Sequence, residues 1–133
     1  MVEPGLLGEV ERTVTEDMTA MALGSGDVPV LGTPAVLALM EAAACRALDG
    51  HLAPEETSVG EVADMVHFAP TPVAARVVAT ARLVEVDGRN LTFEVHVNDP
   101  AGEVARGRHR RAVVRRERFL DSARERAEAQ PEG

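Results

Sequence analysis

Val30-Leu31-Gly32-Thr33-Pro34-Ala35-Val36-Leu37-Ala38-Leu39-Met40-Glu41-Ala42-Ala43-Ala44-Cys45-Arg46-Ala47-Leu48 is the stretch that decides the architecture of this chain. Thr33 and Pro34 read as a helix N-cap and the first helical position: a threonine oxygen can accept from an orphan amide, and proline's missing N–H costs nothing there. Strong helix formers fill the next turns, and Gly50 marks the stop. Nearly every position from 34 to 45 is apolar, so the helix is expected to be covered on most of its circumference. Glu41 is the only carboxylate among them. Stripped of water, it needs a partner or a chemical task.

On the N-terminal side, residues 1–8 hold Pro4, Gly5 and Gly8 and read as a loose lead-in. Between 9 and 22, Val10, Val14 and Met18 alternate partially with Thr13, Thr15 and Thr19, which predicts a first strand. Gly24-Ser25-Gly26-Asp27 then loops to the helix. On the C-terminal side, residues 58–67 predict a second strand, stopped by Ala69-Pro70-Thr71-Pro72 because neither proline can donate to a ladder. Residues 76–86 read as a third strand, and Asp87-Gly88 as a hairpin turn. Residues 89–99 alternate, with Leu91, Phe93, Val95 and Val97 inward and Asn90, Thr92, Glu94, His96 and Asn98 outward. Pro100-Ala101-Gly102 turns into a fifth strand over 103–118.

Strand, long helix, then an antiparallel meander of four strands is an α+β order. It predicts a hot-dog fold, a long central helix wrapped by a five-stranded antiparallel sheet. The domain is expected over residues 1–120. Residues 121–133 form a charged tail, helix-capable but expected to fray or be disordered. Open sheet edges in a small domain pair across a two-fold axis, so a homodimer is expected, or a tetramer built from it.

A length of 133 residues suits one core and no second globular unit. No apolar run approaches the roughly 20 residues of a membrane span. The acidic start, with Glu3 and Glu9, lacks the basic onset of a signal peptide, which predicts a cytoplasmic protein with no membrane partner. Cys45 is the single cysteine, and its mid-helix place reads as core rather than nucleophile. No Cys and His spacing resembles a metal site. A net charge of −8, no Trp or Tyr and three Phe argue against a nucleic-acid partner. All fourteen basic residues are arginine, and nine lie between Arg106 and Arg126. That asymmetry suits a phosphate-bearing small ligand; a solvated strand and tail would account for it equally well.

The helix start at Thr33 presents aligned dipoles and unpaired amides to negative charge. Glu41 lies eight residues on, about 12 Å along the axis, too far for direct contact. A joint site needs a third group from another element, or a substrate bridging the two. His67, closing its strand just before the proline break, is the candidate, an imidazole able to handle a proton near neutrality. His51, after the helix stop, and His96, on the polar face of its strand, read as surface or satisfied core residues, and His109 stays open because its strand does not alternate cleanly. Gly60 allows close approach of a ligand. Ser58 and Thr57 offer hydroxyls without a nucleophile elbow.

With these residues in view, the chain resembles the hot-dog thioesterases of the fluoroacetyl-CoA thioesterase family. The resemblance is carried by Val30-Leu31-Gly32-Thr33-Pro34 leading to Leu39-Met40-Glu41, by Thr57-Ser58-Val59-Gly60, and by His67 with Ala69-Pro70-Thr71-Pro72. Val86-Asp87-Gly88-Arg89 and Gly107-Arg108-His109-Arg110-Arg111 extend it, so that it spans about residues 10 to 119. It implies a catalytic set of Thr33, Glu41 and His67, with Gly60 near the acyl group and Arg111 as a further substrate-binding residue. It also implies a site at a dimer interface, where the histidine faces the helix of the other subunit. Glu61 and Arg110 depart from the family pattern. The segment before the threonine is longer in the fluoroacetyl-specific enzyme and carries aromatic lid residues, whereas residues 24–31 here contain none. A general or different small acyl group is therefore expected.

The expected activity is hydrolysis of a small acyl-CoA to free acid and CoA. No cofactor is needed, since coenzyme A is part of the substrate. Glu41 would orient the histidine or water, or attack the carbonyl itself. The alternatives are a non-catalytic module that binds or senses acyl-CoA, and a hot-dog dehydratase, for which no second histidine and carboxylate set is spaced.

Overall fold

The computed structural model describes residues 2–129. The apolar run forms helix α2, Thr33–Leu48, laid across one face of a five-stranded antiparallel sheet. The strands are β1 (Leu7–Thr13), β2 (Glu56–His67), β3 (Arg76–Asp87), β4 (Asn90–Asp99) and β5 (Gly102–Arg115), in the spatial order β1-β3-β4-β5-β2. A short helix α1, Ala20–Leu23, precedes α2, and a third helix, α3, Arg116–Ala129, continues from β5.

The alternation of β4 places Leu91, Phe93, Val95 and Val97 in the core, each 1% exposed or less. Against them α2 buries Val36, Leu39, Met40, Ala43, Ala44, Ala47 and Leu48. Asp87-Gly88 makes the β3–β4 turn, with Gly88 at φ +61. The expected all-round burial of α2 does not hold in the single chain. Pro34, Ala38 and Cys45 are exposed along one stripe, and Leu37, Glu41 and Ala42 are half-buried, because one sheet can cover only one side of a helix. Cys45 is therefore a surface residue rather than core.

The first strand is shorter and earlier than expected. β1 takes in Leu7 and Gly8 from the supposed lead-in and ends at Thr13; Met1 lies outside the described residues. The threonines beyond it serve helical turns instead: Thr19 Oγ1 accepts from Ala22 N–H at 3.1 Å and caps α1. Threonine is as good a cap as it is a strand former, so its spacing misleads there.

The four-strand meander is also corrected. Only β3, β4 and β5 follow one another across the sheet, whereas β2 pairs with β5 at the far edge. The proline segment after β2 carries the chain past the helix start, where Leu31 N–H donates to Thr71 O at 2.9 Å and Val30 bridges Pro72. Residues unable to donate to a ladder make a crossing where a hairpin would otherwise form. β5 stops at Arg115, and residues 121–129 of the expected frayed tail are helical, with no side chain of α3 buried. The last four residues of that tail lie outside the described residues.

Candidate active site

The start of α2 is capped by Gly32, in extended backbone, and Thr33 is already helical. A Cβ on Gly32 would press to 2.9 Å from the backbone of Ala20 in α1, so only glycine fits the junction. The expected N-cap role of Thr33 is thus corrected. Its hydroxyl is free of the helix and lies 2.9 Å from His67 Nδ1, the imidazole arriving from the last residue of β2. His67 Nε2 is a buried atom with no hydrogen-bond partner among the described residues. Thr33 and His67, with Val28, Val30, Gly32 and Pro70, line a cleft of about 250 Å³. An imidazole nitrogen without a partner is poised to take one from a ligand.

Glu41 belongs to a second cluster. Arg111 Nη1 donates to Glu41 Oε2 at 3.1 Å and to His109 Nε2 at 3.0 Å. The rest of that guanidinium holds Ser58: Nε–H donates to its hydroxyl at 2.9 Å, and Nη2 to its carbonyl at 3.1 Å. Arg111 is 6% exposed and His109 3%, while the side chain of Glu41 is 41% exposed. His109 Nδ1 donates to Val62 O at 2.8 Å, which leaves Nε2 as the acceptor that Arg111 requires. Burial holds the His109 imidazole below its ordinary range and the charge of Arg111 adds to this; the Val62 bond and Glu41 oppose it. The cluster borders a cavity of about 230 Å³ lined by Leu37, Glu41, Gly60, Glu61, Val62, Ala63 and His109.

Gly60 makes this arrangement possible. A Cβ there would collide with Glu41 Oε2 and sit 3.2 Å from His109 Cε1 and 3.3 Å from Arg111 Nη1. The register of β2 on β5 breaks between Gly60 and Val62, so Glu61 is an extra, bulged residue. Gly60 and His67 are seven residues apart, which would set them on opposite faces of a regular strand. The bulge restores both to the helix-facing side. Glu61 turns to the other side, where its Oε1 lies 3.4 Å from Arg110 Nε. The two residues that depart from the family pattern are thus each other's partners.

One chain therefore carries two half-sites: Thr33 with His67, and Glu41 with Arg111, His109, Ser58 and Gly60. Glu41 makes no hydrogen bond to Thr33 or His67 among the described residues, as the spacing on the helix requires. Ser58 and His109 are the members that sequence reasoning did not assign. The signal for His109 is its register: Gly107, His109 and Arg111 face inward between Arg106, Arg108 and Arg110, opposite the core residues Val95, Phe93 and Leu91. His96 Nδ1 is held at 2.6 Å by Glu103, on the polar face of β4. Among the described residues no group of three or more His, Cys, Asp or Glu could hold a metal ion, and no helix is long and apolar enough to cross a membrane.

The sequence matches the family of the fluoroacetyl-CoA-specific thioesterase FlK over residues 14–117. The chain belongs to this family. The fluoroacetyl-CoA thioesterase of Streptantibioticus cattleyicolor is 37% identical over 100 residues, 75% of this chain and 72% of that protein. A solved structure of the fluoroacetyl-CoA thioesterase FlK superposes with a TM-score of 0.88 at 30% identity, covering 98% of this chain and 99% of that one. A FlK variant in complex with acetyl-CoA gives 0.89 at 30% identity, over 94% and 98%. A hypothetical thioesterase-superfamily protein from Thermus thermophilus, 24% identical with a TM-score of 0.87 over 98% of each chain, shares the fold. This FlK-family chain is an acyl-CoA thioesterase with a hot-dog fold.

Proposed function

We propose that this thioesterase hydrolyses a small acyl-CoA to the free acid and CoA at a site that two chains build together. The observation that carries the reading is the split of the polar groups into two half-sites, one of them ending in the unpartnered Nε2 of His67. β2 is a sheet edge whose own Val62 and Val66 are exposed. Antiparallel pairing of two such edges, centred near Ala63 and Asp64, would set His67 of one chain opposite Gly60 of the other. Thr33 and His67 of one subunit then meet Glu41 of its mate, in a homodimer.

In this arrangement the Thr33 hydroxyl and the amides of the α2 start orient the acyl carbonyl and receive its developing negative charge. His67 takes a proton from water as the hydroxyl adds to the carbonyl, and returns it to the departing CoA sulfur as the C–S bond breaks. Glu41, held by Arg111, orients the water or adds to the carbonyl itself, to be released by water in a second step. The relative in complex with acetyl-CoA supports a CoA thioester as ligand. Val28, Val30 and Leu31 line the Thr33 cleft with no aromatic residue between 24 and 31, which supports a small acyl group without a fluorinated preference.

The CoA phosphates are assigned to Arg115 and Arg118, which make no ion pair among the described residues. With Arg89 and Phe119 they line a cleft of about 300 Å³ where β5 meets α3. The lone, exposed thiol of Cys45 suits the reducing cytoplasm. The test is thiol release from a panel of acyl-CoAs by wild type, His67→Ala and Glu41→Gln. Losses of about 100-fold or more are expected for both variants; equal rates for all three proteins would sink the assignment.

A further inference from the structure

We propose that His109, in its neutral form, is a positioning residue that fixes Arg111 and through it Glu41, and that a proton on His109 Nε2 disengages the carboxylate. This rests on the thioesterase reading only for the task given to Glu41. Arg111 Nη1 carries two hydrogens, and the structure uses both: one reaches His109 Nε2 at 3.0 Å, the other Glu41 Oε2 at 3.1 Å. The imidazole is therefore the acceptor that holds the Nη1 end of a guanidinium whose Nε and Nη2 are held by Ser58. Its own orientation is fixed at the other nitrogen, where Nδ1–H donates to the carbonyl of Val62, the first residue past the β2 bulge. Helix, bulge and last strand are joined through one ring.

The groups facing that ring are Arg111 from β5, Glu41 Oε2 from α2 at 3.8 Å, and the Val62 carbonyl from β2. From β4 come the core residues Leu91 and Phe93, which carry no charge. At the same bulge, Glu61 is paired outward with Arg110. A proton on Nε2 turns the acceptor into a donor and sets a positive charge 3.0 Å from the guanidinium. Flipping the ring gives no relief, because both nitrogens of the cation carry hydrogens and neither can accept from Arg111. The contact must open, and the carboxylate at 3.8 Å is the acceptor at hand for the new N–H. Glu41 then leaves Arg111, and its catalytic placement is lost.

Two near-isosteric substitutions separate the nitrogens. His109→Gln places an amide oxygen close to the Nε2 position, keeping an acceptor for Arg111 that cannot be protonated. His109→Asn places an amide near Nδ1, keeping the donor to Val62 while losing that acceptor. Thiol release should fall in kcat by on the order of 10- to 100-fold in His109→Asn with KM little changed, and far less in His109→Gln. On the acid side, log kcat of the wild type should steepen as a second proton binds; His109→Gln should show only the first limb. Equal losses in both variants would mark a packing role and overturn the proposal, as would wild-type kcat and acid limb in both. A readout independent of turnover is the ring ¹⁵N signal of His109 in the wild-type protein. An Nδ1–H tautomer persisting through neutral pH is expected; a cation or an Nε2–H tautomer there overturns the proposal whether or not the hydrolase reading stands.

Discussion

Gly60→Ala adds one methyl group at the point where β2, α2 and β5 meet. Gly60 has a backbone that alanine can adopt, so the effect comes from contact rather than strain. The new Cβ would overlap Glu41 Oε2 and press on His109 Cε1 at 3.2 Å and Arg111 Nη1 at 3.3 Å. The strand is held against retreat by its pairing with β5 on both sides of the Glu61 bulge, with Gly60 itself opposite Arg111. Arg111 is fixed by Ser58. The carboxylate, 41% exposed at the end of a flexible side chain, is the group that gives way. A charge-assisted hydrogen bond is worth about 1.5–3 kcal/mol when buried. Solvent screening at this exposure reduces the loss to about 1 kcal/mol, with a comparable term for overpacking. A melting temperature lowered by several degrees is therefore expected, in a protein that remains folded. The loss in kcat should be much larger, about 100-fold, because the displaced group is the one the reaction uses. Thermal melts and thiol release from acetyl-CoA measure the two sides. Full kcat in a folded Gly60→Ala protein would refute the role assigned to Glu41, and a stability loss above about 4 kcal/mol would show that the backbone, rather than the side chain, takes the clash.

Thr33→Val removes the hydroxyl bonded to His67 while Gly32 continues to cap the helix. Stability should fall by about 1 kcal/mol or less in a urea titration, with a larger proportional loss in kcat. Arg115→Ala with Arg118→Ala should raise KM for acyl-CoA several-fold at low salt and leave hydrolysis of the same acyl group on pantetheine unchanged; equal effects on both substrates would remove the phosphates from that cleft. The depressed His109 pKa makes the unfolded chain bind more protons than the folded one. Its contribution to stability is therefore complete above the ordinary histidine range near about 6.5 and is lost as the pH falls through the lower folded value. In melts followed between neutral and acidic pH, His109→Gln should lose less stability than wild type across that window.

Local signals carried much of the fold. The Pro34 start and Ala-rich body of α2, the alternation of β4 and the Asp87-Gly88 turn each rest on neighbouring residues. Strand order did not follow from them, because β2 finds β5 across the sheet, and a crossing past α2 looks in sequence like any proline break. The threonine at 19 satisfied a strand pattern and a cap pattern equally, and its hydrogen bond to the first turn of α1 decided between them.

For the site, the chain by itself singled out Thr33, Glu41, His67, Gly60 and Arg111, through residue type, helix spacing and family resemblance. Tertiary structure alone decided which of them meet. A hydroxyl expected to cap a helix turns to His67, because Gly32 occupies the cap against α1. The isolated charge of Glu41 finds Arg111, seventy residues away on β5, and brings His109 into the cluster. The physical reason is that a side chain's partners depend on strand register, and the bulge at Glu61 shifts that register by one residue between the two half-sites.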